Sequence, residues 1–211
     1  MSTNPISGID VSHNNGNIDW AKVKAYTPAV SFVYMKATQG VDFQDPKIAV
    51  NAPAAQKNVL SIGYYHFASL NQPANVVQDA AAEANWFDKV IKTLPAANLL
   101  PVLDIETNDR QLTTQQVQQW INTFLATMKT LGYPKVIIYS YKPFLDANLP
   151  ANHTFGANPL WLAQYRNVAA PALPRGWTNY TIWQYSAQGN ISGIAGDVDM
   201  NKADASFLTL S

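Results

Sequence analysis

The stretch Leu99-Leu100-Pro101-Val102-Leu103-Asp104-Ile105-Glu106 most constrains what this chain can fold into. Strand side chains alternate between faces, so Leu100, Val102, Asp104 and Glu106 share one side, and Leu99, Leu103 and Ile105 the other. A run apolar on both faces reads as a strand buried between two layers, the habit of parallel sheets in α/β proteins. Such proteins place their active sites at the C-terminal ends of their strands. Two carboxylates on one side of that end are unfavourable to bury unless they have partners or a task. The plainer alternative is a strand running out into a solvated acidic loop.

The rest of the chain favours the first reading. Short β-rich runs over 6–11, 31–36, 61–67, 99–105, 135–140, 160–163, 181–185 and 197–200 predict eight strands. Helical patterns separate the earlier ones. Asp45-Pro46 opens one helix as an acidic cap followed by proline, and 73–93 is a long Ala-rich one. From Thr113 to Gly132, Val117, Trp120, Ile121, Phe124, Leu125, Met128 and Leu131 recur at three- and four-residue steps. Beyond Ser140 only a short helix over 143–148 and a final helical segment from Lys202 are expected, with a cap on that segment the plainer alternative to a site role for Asp199. Alternating strands and helices argue a parallel sheet with right-handed crossovers. Eight strands with helices mostly in the first half predict one irregular, TIM-like β/α barrel spanning 1–211.

In a closed barrel the first and last strands are neighbours. Asp10 ends the first, and Asp197 and Asp199 flank Val198 in the last, so these acids converge with Asp104 and Glu106. Tyr64, Tyr65 and His66 on the third strand, Tyr139 on the fifth, Trp161 on the sixth, Gln184 on the seventh and Asp197 on the last are candidate sugar-binding residues. The tyrosine and tryptophan rings offer an apolar face and a polar tip; for each aromatic alone, core packing competes. His13, His66 and His153 lack paired metal spacing, so neither a metal site nor a cofactor is expected.

With 14 basic and 14 acidic residues the formal charge is zero, and no basic run marks a nucleic-acid partner. Charged residues make up 13% of the chain, about half the usual share of roughly 25%. There is no cysteine, hence no disulfide framework. Met1-Ser2-Thr3-Asn4-Pro5 has neither a basic nor an apolar leader region, and no stretch has the length of a membrane span. The expectation is a monomer without a membrane partner.

In these features the chain resembles the family 25 glycoside hydrolases, lysozymes that cleave peptidoglycan as N-acetylmuramidases. The pieces that carry the resemblance run nearly end to end: Gly8-Ile9-Asp10-Val11-Ser12, Ile18-Asp19-Trp20, Phe32 to Thr38, Gly63-Tyr64-Tyr65-His66-Phe67, Pro101 to Glu106, Ile138-Tyr139-Ser140, Leu160 to Tyr165, Ile182 to Ser186, and Val198-Asp199-Met200-Asn201. The resemblance implies a β/α barrel with fewer than eight helices. It implies Glu106 as proton donor, Asp104 as its partner, and Asp10 and Asp199 as supporting carboxylates. The partner it implies is the peptidoglycan strand, met outside the cell or at the wall. Asn15-Gly16 stands where the family usually has Gln-Gly, and Gln39 where Lys-Ala-Thr-Glu-Gly has its Glu.

Acid-catalysed cleavage of a glycosidic bond needs two carboxyls with different pKa values. Residues i and i+2 of one strand lie roughly 6.5 Å apart on one side. An enzymic nucleophile must instead sit across the sugar, about 5–5.5 Å from the acid. Asp104 is therefore better placed to orient a substrate N-acetyl group, so retention with substrate assistance is expected. A non-catalytic peptidoglycan-binding barrel and a chitinase-like glycosidase are the competing readings.

Overall fold

The computed structural model describes residues 5–58 and 61–210; Met1–Asn4, read above for a leader, lie outside them. In chain order the elements are β1 (Pro5–Val11), α1 (Trp20–Lys24), β2 (Val30–Gln39), β3 (Phe43–Gln44), α2 (Ile48–Asn58), β4 (Ser61–Phe67) and α3 (Val76–Ile91). There follow β5 (Val102–Asp104), α4 (Thr114–Thr130), β6 (Ile137–Tyr141), α5 (Lys142–Asn148), β7 (Leu160–Ala163), β8 (Ile182–Gly189) and β9 (Val198–Asp204).

The strand order is β1-β9-β8-β7-β6-β5-β4-β2-β3, and β1 also pairs with β2. That pairing closes an eight-stranded barrel, with β3 an antiparallel appendage on the end of β2. Among the described residues five α-helices surround it, which agrees with an irregular TIM-like barrel. Neighbours from β1 through β2 and β4 to β8 run parallel, whereas β9 runs antiparallel to both β8 and β1.

Three boundaries differ from expectation. The strand anticipated over 99–105 is limited to β5, because Pro101 lacks the N–H that would continue the ladder. The helix expected from Lys202 is instead strand: β9 pairs with β1 as far as Asp204, which then caps a 3-10 turn over Ala205–Thr209. Asp199 accordingly lies within a strand and caps no helix. Asp45 and Pro46 form the turn leading into α2, with an Asp45 side-chain oxygen accepting from the Lys47 N–H. The anticipated α4 begins with a reciprocal capping box between Thr113 and Gln116. It ends before Gly132, whose φ of 103° suits glycine.

Strand alternation sorts the core into two. Outside the barrel, Ile9, Val33, Met35, Ile62, Leu103, Ile138 and Leu162 pack with Phe87 of α3 and with Trp120, Ile121 and Phe124 of α4. Inside, Phe32, Tyr34, Val102, Ile137, Trp161, Ile182 and Ala203 fill the lumen down to Phe207. Two glycines make room for the inner rings. A Cβ on Gly8 would lie 2.4 Å from the Phe32 ring, and one on Gly63 2.2 Å from that of Tyr34. With the floor filled by large side chains, space remains only at the mouth.

Candidate active site

A pocket of about 200 Å³ opens at that mouth, lined by Asp10, Lys36, Tyr65, Asp104, Glu106, Tyr139, Trp161, Gln184 and Asp199 among others. Each arrives by an identifiable backbone device. Asp104 is the last residue of β5, and its carbonyl accepts the Ala68 N–H at 2.8 Å. The Ile105 N–H then donates to the Tyr139 carbonyl at 3.0 Å, so the chain stays extended one residue past the strand. Glu106 therefore emerges on the same side as Asp104, with its own carbonyl taking the Tyr141 hydroxyl at 3.3 Å. Asp10 and Asp199 are register partners across the β1–β9 pair. Because β9 runs antiparallel, its first residues lie at the mouth beside the last residues of β1.

Asp10 is the most heavily braced. One of its oxygens accepts from the Gln184 amide at 2.9 Å and from the Asn201 amide at 2.7 Å. Trp161 donates its indole N–H to Asn201 at 2.8 Å. Gln184 in turn accepts the hydroxyls of Tyr139 and Tyr165. Burial, followed by the charge of Asp199, pushes the Asp10 carboxyl up to about 8. Burial also raises Asp199. The Asp10–Asp199 pair consequently keeps a proton through neutral pH.

Burial is the largest influence on the other two acids as well. It raises Asp104, with the Glu106 charge next, and it raises Glu106, with the Asp199 charge next. Lys36 opposes both rises. One buried oxygen of Asp104, Oδ1, has no hydrogen-bond partner. A buried acceptor without a donor is unfavourable by about 1–3 kcal/mol, so this atom is poised for a donor brought by a ligand.

Lys36 was not picked out from the sequence as a site residue. Its ammonium donates to Gln39 Oε1 at 2.6 Å and lies 4.6 Å from the centre of the Phe67 ring. The available signal was its parity with Phe32 and Tyr34, the inward-facing residues of β2. Gln39, the departure noted above, is thus the neutral acceptor of a lysine that faces the acids.

Three expected sugar-binding residues lie elsewhere. Tyr64 and His66 flank Tyr65 on β4 and point away from the lumen by alternation. Tyr64 packs outside the barrel and donates its hydroxyl to the Pro95 carbonyl at 2.7 Å. His66 is fully buried against α3 and α4, between Thr38 and Glu83. Asp197 is exposed on the turn before β9, and only its carbonyl is engaged, by the Asn15 amide at 3.2 Å. Among the described residues, no group of three or more His, Cys, Asp or Glu could hold a metal ion.

A second cavity of about 450 Å³ adjoins the first, sharing Glu106 and Tyr139 and adding Tyr141, Pro143, Ala163, Gln164, Tyr165 and Arg166. Together the two fall within the roughly 300–1,000 Å³ of ordinary ligand sites.

Comparison with known proteins agrees with this fold. The chain is 35% identical to lysozyme M1 of Streptomyces globisporus, in an alignment covering 99% of this chain and 71% of that protein. The crystal structure of a bacterial lysozyme from Streptomyces coelicolor superposes with a TM-score of 0.84 at 33% identity, covering 99% and 97% of the two chains. A muramidase from Acremonium alcalophilum gives a TM-score of 0.77 at 27% identity, with 96% of each chain covered. The model of glycosyl hydrolases family 25 matches residues 9–194. On these grounds the chain belongs to family 25 of the glycosyl hydrolases.

Proposed function

We propose that this protein is a lysozyme, an N-acetylmuramidase that hydrolyses the β-1,4 bond between N-acetylmuramic acid and N-acetylglucosamine in peptidoglycan. The observation that carries the reading is the gathering of four carboxylates from three regions of the chain around one small pocket. In this reading Glu106 is the general acid. Burial and the Asp199 charge raise its pKa and so favour the acid form, whose proton passes to the departing glycosidic oxygen as the C–O bond breaks.

Asp104 receives the N–H of the substrate acetamide on its unpartnered oxygen and so polarises that group. The acetamide oxygen then attacks the anomeric carbon, forming a cyclic oxazolinium. Water activated by the Glu106 carboxylate opens it, and the two displacements give net retention. Asp10 and Asp199 stand across the barrel from β5, but their shared proton and the two amide donors on Asp10 make them poor nucleophiles. Their role is to hold Gln184, Asn201 and the sugar.

Residues 1–211 act in this reading as one catalytic barrel domain, as a monomer, on glycan strands and without a nucleic-acid or membrane partner. The work site is the cell wall, reached by export or by release during lysis. Among the described residues no helix is long and apolar enough to cross a membrane.

The test compares the parent protein with Glu106→Gln on purified peptidoglycan, with new ends identified by mass spectrometry after borohydride reduction. Muramitol ends from the parent, reduced in rate by about 10²–10⁴-fold in the variant, are expected. Reduced glucosamine ends would make it a glucosaminidase. Binding without new ends would leave a non-catalytic barrel. Anomeric NMR showing inversion would remove the substrate-assisted mechanism.

A further inference from the structure

The cavity beyond Glu106 has a chemistry that the catalytic pocket does not explain. It shares only Glu106 and Tyr139 with the acid-lined pocket. The glycosidic oxygen has to sit at Glu106, so the sugar among Asp10, Asp104 and Asp199 is the one that keeps the anomeric carbon. The larger cavity then lies on the leaving-group side. Its walls are Tyr141, Pro143, Ala163 and the half-exposed ring of Tyr165, whose hydroxyl is fixed on Gln184. A fixed, solvent-facing ring suits the apolar face of a sugar.

Arg166 stands at the edge of this cavity. By contrast, Lys142, between the lining residues Tyr141 and Pro143, is already committed: it pairs with Asp146, as Arg175 also does, and donates to the Leu173 carbonyl. Arg166 has no acidic partner among the described residues, although it lies next in sequence to a residue that binds the central network. An exposed arginine that lines a sugar-sized cavity and has no salt bridge among the described residues is suited to a carboxylate on the ligand, which its guanidinium can grip with two parallel N–H groups.

We infer that Tyr165 and Arg166 form a leaving-side subsite that selects glycans carrying a carboxylate, the acid borne on the lactyl ether of the next muramyl residue. This rests on the muramidase reading for the direction of the strand. Tyr165 supplies the platform for the sugar that departs, and Arg166 the charge that separates muramyl glycans with free lactyl carboxylates from those whose carboxyls are amidated or absent. Arg166 contributes to binding and takes no part in proton transfer.

The test uses glycan strands freed of stem peptides, which expose lactyl carboxylates, and the same strands with those carboxyls converted to methylamides. Affinity for a four-sugar fragment of each kind is measured by calorimetry on the Glu106→Gln chain, with and without Arg166→Gln, and kcat/KM on the chain that retains Glu106. Arg166→Gln should weaken binding and lower kcat/KM by roughly fivefold to tenfold on the acid form. It should leave the methylamide form unchanged. High salt should erase the difference, and Arg166→Lys should restore part of it. Equal behaviour of both forms in both chains overturns the inference even if the protein is a muramidase. Carboxylate-dependent binding through Arg166, in a chain that produces no muramitol ends, overturns the muramidase reading and leaves the subsite standing.

Discussion

Carboxylates are buried in two regions of this molecule on opposite plans. Between the barrel and its helices, Glu83 of α3 lies 2.7 Å from His66 Nε2 and takes the Ser69 N–H on both oxygens, at 3.0 and 3.3 Å. His66 Nδ1 is 2.8 Å from the Thr38 hydroxyl, and its ring stacks on Phe124. Nearby, Asp79 accepts the Trp120 indole N–H at 2.9 Å. At the mouth, Asp104 keeps an oxygen without a donor, the charge of Asp199 raises Asp10 and Glu106 while that of Glu106 raises Asp104, and a pocket opens over them. A closed, satisfied polar cluster fixes the packing of a core. An open cluster with a deficit is where local rules are broken for chemistry. Burial alone does not separate the two; satisfaction and access do.

The largest test of that contrast is Asp104→Asn. Turnover should fall by about 10²–10³-fold, while the melting temperature holds or rises as a buried like-charge contact is removed. Wild-type turnover in this variant would place Asp104 with the structural group. The opposite pattern is expected at the closed cluster. Glu83→Leu strands His66 without its partner and should cost about 1–3 kcal/mol of stability. That is roughly 2–4 °C per kcal/mol for a chain of this size, with kcat/KM unchanged below the transition. Lost activity in the folded variant would tie Glu83 to the site.

Smaller effects concern protons. Lys36 holds both Asp104 and Glu106 below the values that burial alone would give. In Lys36→Met both limbs of the pH–activity profile should therefore move to higher pH, and a profile that stays in place would remove Lys36 from the electrostatics of the site. The smallest signal is the pH dependence of stability at the closed pair. Burial raises Glu83 from 4.5 to about 9 and lowers His66 from 6.5 to about 3. The folded pair thus holds one proton from about pH 3 to pH 9, whereas the unfolded pair holds one only between 4.5 and 6.5. Its contribution to stability is greatest in that inner window. It declines as pH rises from 6.5 toward 9, because unfolding then releases the Glu83 proton, and as pH falls from 4.5 toward 3, because unfolding then takes up a second. Glu83→Gln should remove the alkaline decline and move the start of the acid decline from 4.5 up to 6.5, where unfolded His66 takes up its proton, read from melting temperatures across pH.

Much of the fold was legible because its signals are local. The α4 stripe, its Thr113 cap and Gly132 stop are periodicity and backbone chemistry within one segment. The Asp104–Glu106 offset was readable for the same reason, since Leu100 and Val102 share its parity and enter the lumen. On β4 the same rule could not choose. Tyr64, Tyr65 and His66 are all amphipathic, so alternation separates Tyr65 from its neighbours without saying which set faces in. Lys36 escaped notice because its parity with Phe32 and Tyr34 became a signal only once those rings were known to face the lumen. Arg166 had no signal at all, since what distinguishes it is the cavity it faces.

The sequence by itself determined the succession of strands and helices, the pair of acids at the end of one buried strand, and the family to which the ordered motifs belong. Only the tertiary structure decided which parity of each strand faces the lumen. It also decided that β9 runs antiparallel, which carries Asp199 to the mouth at its first residues, and that His66 serves the core. The physical reason is range. Side-chain alternation and helical periodicity are set by neighbours along the chain, but the Asp10 carboxylate is held by Gln184, 174 residues away, and by Asn201, 191 residues away. Those bonds exist only once the barrel has closed.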